Sequence, residues 1–279
     1  VSAGLPPTRS RPASAGPLHR PAPPLHAVLA ASVFLLAACN SLGAGRPPLP
    51  APPHPAVQGP VVAAIRRAGT LRVASDLSYP PLAFRAGTSP GGFEIDLAGL
   101  LAAALGVRLD VVDTPRAAMR PGFADADLLI SQLTDAEAPG LPSPPYYVMR
   151  QAILWREGEK PVPDGSLPGV RVAVQARSRG QAVAEQLGVA PAVVAYQPIE
   201  ALRAVSRGQA QAAVADLPLV VEYARTHRGL SVSTGRWPES PLVVVVRADA
   251  PDLLAFTSAA IRELEQTGGL TRLRQRWHL

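Results

Sequence analysis

Five polar side chains stand where short apolar runs end. Asp76 follows Leu71–Ser75, Ser131 and Thr134 follow Leu128–Ile130, Ser178 follows Val170–Val174, and Asp216 follows Ala212–Ala215. Carboxylates and hydroxyls in this pattern suit the gripping of a small polar solute. A carboxylate accepts hydrogen bonds, and a hydroxyl both donates and accepts. In open parallel sheets, ligands collect beyond the carboxyl ends of the strands. Both halves of the chain contribute such residues, so two lobes facing each other across a cleft would bring them together. Metal chemistry is not expected. The single cysteine is Cys39, and His227 and His278 have no partner at ligand spacing. No phosphate-cradling glycine loop with a lysine is present, so an ATP site is not expected either. No cofactor is implied.

The elements that must position these residues alternate. Strands are expected at Leu71–Ser75, Arg108–Val112, Leu128–Ile130, Ala152–Trp155, Val170–Val174, Ala192–Tyr196, Ala212–Ala215 and Leu242–Val246. Between them, Leu97, Leu100, Leu101, Ala104 and Leu105 recur at helical spacing until Gly106 stops them. Ser178 and Gln181 form a capping-box pattern ahead of a helix ending at Gly188. Further helices are expected over Ile199–Arg207, from Asp216 through Arg225, and over Pro251–Thr267. Alternation of this kind implies an α/β fold, with parallel-rich sheets covered by helices on both faces.

The net charge of +6 does not signal nucleic acid. Residues 1–60 hold four of the 27 basic residues and no acid. The other 23 basic residues face all 21 acidic ones, so the remainder carries only +2. No basic stripe interleaved with aromatics appears. The tail instead looks like an address. Residues 27–38 form a twelve-residue uncharged stretch, too short to span ~30 Å of hydrocarbon. Arg9, Arg11 and Arg20 precede it, and small residues end it, as in a secretory signal. The run Leu36-Ala37-Ala38-Cys39 resembles a bacterial lipobox, which implies lipidation of Cys39 after removal of residues 1–38. Residues 39–60 are proline-rich and read as an extended spacer between a membrane and a soluble body.

Several segments in register resemble one family. Gly69 through Phe84, with Gly92-Phe93-Glu94-Ile95-Asp96-Leu97, resembles the start of the family 3 extracellular solute-binding proteins, the receptors of polar amino acid ABC importers. Ser143-Pro144-Pro145-Tyr146-Tyr147, Leu167 through Ser178, Gly208 through Asp216 and Gly269 through Trp277 continue the resemblance in order. It implies a two-lobed, type II periplasmic-binding-protein-like fold with two hinge crossings. Lobe 1 is expected over 61–156 and 242–279, and lobe 2 over 159–238. It implies an extracytoplasmic, lipid-anchored and monomeric receptor. Its partners would be a small amino acid or amine, and an ABC permease with a separate ATPase. No enzymatic activity is implied; a lipid-anchored sensor or a dehydratase-like enzyme on the same fold are the alternatives.

By that resemblance Asp76 and Tyr79 line the ligand's side-chain pocket and Asp216 holds its α-ammonium. Ser131, Gln132, Thr134 and Ser178 add polar contacts. One departure stands out. Where the family carries an arginine that clamps the α-carboxylate, this chain has Ser131-Gln132-Leu133-Thr134-Asp135-Ala136-Glu137, with Glu137 near the arginine's place. Thr134 and Glu137 form a capping-box pattern instead. Two readings stay open: Arg177 takes the carboxylate, or the ligand has none; Asp76, Asp216 and Glu137 favour a cationic ligand such as an amine or basic amino acid.

Overall fold

The structure is a computed structural model that describes residues 1, 46–119, 122–123, 125–159, 167 and 169–279. The expected signal segment 1–38 and Cys39 lie outside the described residues. The expected spacer is described from Arg46, and this part lies against the body rather than standing free. Arg46 stacks over Trp277 at 3.8 Å, the His54 N–H donates to the Glu263 carboxylate at 3.0 Å, and Pro50 and Pro53 are buried. Proline cannot join a helix interior or a central strand, but its apolar ring covers surface well.

The chain then runs α1 (Pro60–Ala68), β1 (Thr70–Ser75), β2 (Ser78–Tyr79), β3 (Ala83–Ala86), β4 (Ser89–Gly91), α2 (Phe93–Leu105), β5 (Arg108–Asp113), β6 (Leu128–Leu129) and β7 (Leu141–Met149). It continues through β8 (Gln151–Arg156), β9 (Val172–Gln175), α3 (Arg179–Gln186), β10 (Val193–Ala195), α4 (Pro198–Ser206), β11 (Ala212–Asp216), α5 (Leu217–Thr226) and β12 (Leu230–Thr234). It closes with β13 (Ser240–Val246), α6 (Pro251–Gln266) and α7 (Gly269–Arg276).

Two five-stranded sheets result. The first has the order β5-β1-β6-β13-β7 and the second β10-β9-β11-β8-β12. In each, three strands are parallel and the last two are antiparallel to their neighbours. β2, β3 and β4 form a third, antiparallel sheet. The fold is of the expected α/β class, with the two large sheets mixed rather than purely parallel. β11 is buried at every position, and core clusters lie on both faces of its sheet. That explains why Ala212–Ala215 is an unbroken apolar run. β7 carries Pro142, Pro144 and Pro145, yet it is a strand because it sits at a sheet edge, where a missing N–H is tolerated.

The chain passes between the sheets twice. β7 leads through Arg150 into β8, and β12 leads through residues 235–239 into β13. Arg150 Nε donates to Glu239 at 2.9 Å, tying the two crossings together. The expected division at 156 therefore needs correction. Gln151–Arg156 pairs with β11 and β12 in the second sheet, with Ile153 opposite Val214 and Leu154 opposite Ala213. An apolar run announces a strand but does not say which sheet it joins.

Candidate functional site

Asp76 sits one residue beyond β1. Its Oδ1 accepts from the Ser78 N–H at 3.1 Å and the Ser78 hydroxyl at 2.6 Å, and its Oδ2 accepts from the Arg116 main-chain N–H at 2.9 Å. The carboxylate thus orders a turn and starts the 3-10 turn Arg116–Met119. Ser131, fully buried behind it, accepts from the Asp76 N–H at 3.1 Å. Tyr79 in β2 reaches across to the second half and donates its hydroxyl to Asp216 Oδ2 at 2.6 Å.

A buried carboxylate holds the floor on the first side. Gly92 opens α2 at φ 128, and a Cβ there would come within 2.1 Å of the Leu82 carbonyl oxygen, so only glycine fits. This approach lets the Glu94 N–H bond Leu82 O at 2.8 Å and sends the Glu94 side chain inward, where it is fully buried. Glu94 accepts from the Gln132 N–H at 2.9 Å, the Gln132 side-chain amide and the Tyr146 hydroxyl. Burial pushes its carboxyl above the usual range, and the bonds from Tyr146 and Gln132 offset only part of that. The network fixes Gln132 at φ 51, a conformation that costs a non-glycine residue about 1–2 kcal/mol. The Gln132 carbonyl is thereby shared by two guanidinium groups, Arg116 Nη2 at 3.4 Å and Arg179 Nη1 at 3.3 Å.

The second half supplies the charge pair. Ser178 caps α3, its Oγ accepting from the Gln181 N–H at 3.1 Å and donating to the Gln175 carbonyl at 2.7 Å. The cap makes Arg179 the first helical residue. Next, Gly180 packs so tightly on β11 that a Cβ would meet the Val214 carbonyl oxygen at 2.3 Å. That contact sets the start of α3 beside the end of β11, where Asp216 is 5 % exposed. Asp216 stands at the N-cap position of α5 but makes no side-chain cap. Its Oδ2 accepts from Tyr79 and from Arg179 Nη2 at 3.0 Å, and its Oδ1 accepts from the Gln151 amide and from Arg179 Nε at 3.4 Å. Burial raises the Asp216 carboxyl, but the Arg179 guanidinium and the bonds from Arg179, Tyr79 and Gln151 outweigh it and hold the group below its ordinary value.

Glu137 completes the ring of charges. It closes the expected capping box with Thr134, whose N–H and hydroxyl both donate to Oε2 at 3.0 Å. Its Oε1 takes Arg116 Nη2 at 2.6 Å, and its Oε2 lies 3.7 Å from Arg179 Nη1. Burial raises this carboxyl too, but Arg116, the Thr134 N–H and Arg179 together outweigh it and hold the group below its ordinary value.

These side chains enclose a cavity of about 200 Å³ between the two halves, lined by Asp76, Tyr79, Arg116, Gln132, Glu137, Ser178, Arg179 and Asp216 among others. Of the residues expected from the sequence, Asp76, Tyr79, Gln132, Ser178 and Asp216 meet there. Ser131 stays behind the wall, and Thr134 turns to Glu137 and does not line the cavity. Arg177 is corrected: it is exposed at φ 55 in the turn before α3, its N–H donates to Gln181 Oε1, and it does not line the cavity. Arg116 and Arg179 were not anticipated. The capping pattern at Ser178 and Gln181 held the clue, since it makes residue 179 the first of the helix. Among the described residues, no three His, Cys, Asp or Glu side chains converge as a metal would require. Among them, too, no helix is long and apolar enough to cross a membrane.

Known proteins resemble this chain in sequence and fold. The chain is 27% identical over 219 residues to the probable ABC transporter arginine-binding protein ArtJ of Chlamydia trachomatis, covering 74% of this chain and 85% of that one. It is 26% identical over 250 residues to membrane-bound lytic murein transglycosylase F of Cronobacter sakazakii, covering 77% of this chain but only 44% of that enzyme. The crystal structure of the ancestral cationic amino acid solute binding protein AncCDT-1, described as a precursor of cyclohexadienyl dehydratase, superposes with a TM-score of 0.68 at 27% identity. That match covers 78% of this chain and 99% of the ancestral protein. Residues 71–279 match the bacterial extracellular solute-binding proteins, family 3, and the chain belongs to that family.

Proposed function

We propose that this chain is the extracytoplasmic receptor of an ABC importer and captures a small amino-acid-type solute between two closing lobes. The observation that carries the reading is the cavity itself. It is polar, small against the ~300–1,000 Å³ of drug-sized pockets, and walled by strand-end residues of both sheets. A solute seated there touches both halves at once, so it binds the closed arrangement better than the open one and shifts the population toward it. The two crossings tied by Arg150 and Glu239 are the hinge of that motion. In this reading lobe 1 comprises the first sheet with 61–149 and 240–279, and lobe 2 comprises 151–234. Cys39 carries the lipid, and the permease recognises the closed form.

The ligand's carboxylate is taken by Arg116 and Arg179, the guanidinium groups that line the cavity, in place of the clamp missing near Glu137. Small-angle scattering of residues 46–279 tests the motion. A fall in radius of gyration with a saturating ligand from an amino acid panel, together with a raised melting temperature, supports the receptor. Stabilisation without compaction, or neither effect with any solute, argues against it. An enzyme of the dehydratase kind would also bind here, and turnover of the bound solute would identify it.

A further inference from the structure

Resting on the receptor reading, the arrangement around Asp216 goes further and addresses which solutes the site accepts. An ionised carboxylate offers about four lone-pair positions. Asp216 already receives four donors: Tyr79 and Arg179 Nη2 on one oxygen, and Gln151 and Arg179 Nε on the other. The carboxylate expected to hold an ammonium group is therefore saturated by the protein's own side chains. Asp76 is likewise engaged by Ser78 and the Arg116 N–H, and Glu137 by Thr134, Arg116 and Arg179.

The donors are less fully used. Arg116 Nε is buried without a partner among the described residues, and only Arg116 Nη2 is engaged, by Glu137 and the Gln132 carbonyl. A guanidinium carries five N–H groups in a rigid fork matched to a carboxylate. The side of the cavity that still lacks partners is thus the donating side.

We infer that Arg179 is a resident counter-ion that sets specificity: it closes Asp216 to ammonium groups and, with Arg116, presents guanidinium N–H groups to a carboxylate-bearing solute. Basic amino acids and amines are disfavoured as long as Arg179 holds Asp216. Gly180 is part of the device, since its contact with the Val214 carbonyl brings the guanidinium to this place.

Calorimetry on the purified chain with two probes separates the possibilities: succinate, which has carboxylates and no ammonium group, and agmatine, which is cationic and has no carboxylate. The wild-type chain is expected to bind succinate at least tenfold more tightly than agmatine. Arg179→Ala frees Asp216 and is expected to reverse that order, each charge-assisted bond being worth about ten- to a hundredfold. Arg116→Gln, which leaves the Asp216 pair intact, is expected to weaken succinate without gaining agmatine, and it decides the matter if Arg179→Ala does not fold. Wild-type preference for agmatine, an unchanged order in Arg179→Ala, or undiminished succinate binding in Arg116→Gln overturns the inference and leaves the receptor standing. Failure of the wild-type chain and every folded variant to bind either probe or any member of the amino acid panel overturns both.

Discussion

Two carboxylates are buried on opposite sides of the cavity, and they are handled in opposite ways. Glu94, under the first sheet's wall, receives two bonds from Gln132 and one from the Tyr146 hydroxyl, with no guanidinium bonded to it. Asp216, at the end of β11, receives Arg179 in a two-pronged pair. Burial raises both carboxyls; at Asp216 the Arg179 guanidinium, with the bonds from Tyr79 and Gln151, outweighs it, whereas at Glu94 the bonds from Tyr146 and Gln132 do not, so Glu94 ends high and Asp216 low. The contrast separates two jobs. Glu94 holds Gln132, whose carbonyl accepts from Arg116 and Arg179, while Asp216 and Arg179 place a charge pair in the cavity wall.

The sharpest way to break this comparison is to remove one charge from each side. Asp216→Asn removes the bonded counter-ion of Arg179, whose side chain is only 18% exposed, and leaves it only the more distant Glu137 at 3.7 Å. Breaking a buried pair costs about 3–5 kcal/mol, read as a drop in unfolding free energy in urea. Gly180→Ala comes next, because a methyl group would drive β11 and α3 apart at the Val214 carbonyl; a loss of about 1–3 kcal/mol is expected. Glu94→Gln keeps the shape and removes a buried charge with no cation bonded to it, so its cost at pH 7 should stay below about 1.5 kcal/mol. A larger loss for Glu94→Gln than for Asp216→Asn would undo the comparison.

Acidity sharpens the same contrast. Asp216 and Glu137 have folded values below their unfolded ones. Their contribution is present above the unfolded carboxylate range near 4 and is lost as pH falls through the lower folded values. Glu94 works the other way. Its folded value is raised, so its burial is tolerated best below about pH 4 and costs stability as pH climbs through the raised value. Urea midpoints from pH 3 to 8 should therefore fall less on the alkaline side in Glu94→Gln than in the wild-type chain. The smallest effect belongs to the hinge. Arg150 and Glu239 are 65% and 53% exposed, and Glu239→Gln should change stability by no more than about 1 kcal/mol.

Much of this architecture was legible from residue order. Periodicity located the strands that carry Asp76, Ser131 and Asp216, and the Ser178 cap marked the start of α3. What escaped was pairing between distant segments. Ala152–Trp155 has the composition of a strand in either sheet, and only its register with β11 assigns it to the second. β7 escaped because three prolines argue against a strand unless it lies at an edge. In the site, Arg177 and Arg179 are equally basic in sequence, but a left-handed residue at 177 and the cap at 178 leave the first exposed and turn the second into the cavity. Nor does Asp216 announce that its oxygens are already taken, since its donors come from positions 79, 151 and 179.

A double-mutant cycle between Arg179 and Asp216 tests the central claim most directly. Arg179→Ala, Asp216→Asn and the double variant would be compared by unfolding free energy at pH 7. If the two side chains form one charged unit, the double variant loses at least ~2 kcal/mol less than the sum of the single losses. Additivity within about 0.5 kcal/mol would contradict the account, because Asp216 would then be free to meet a solute's ammonium group.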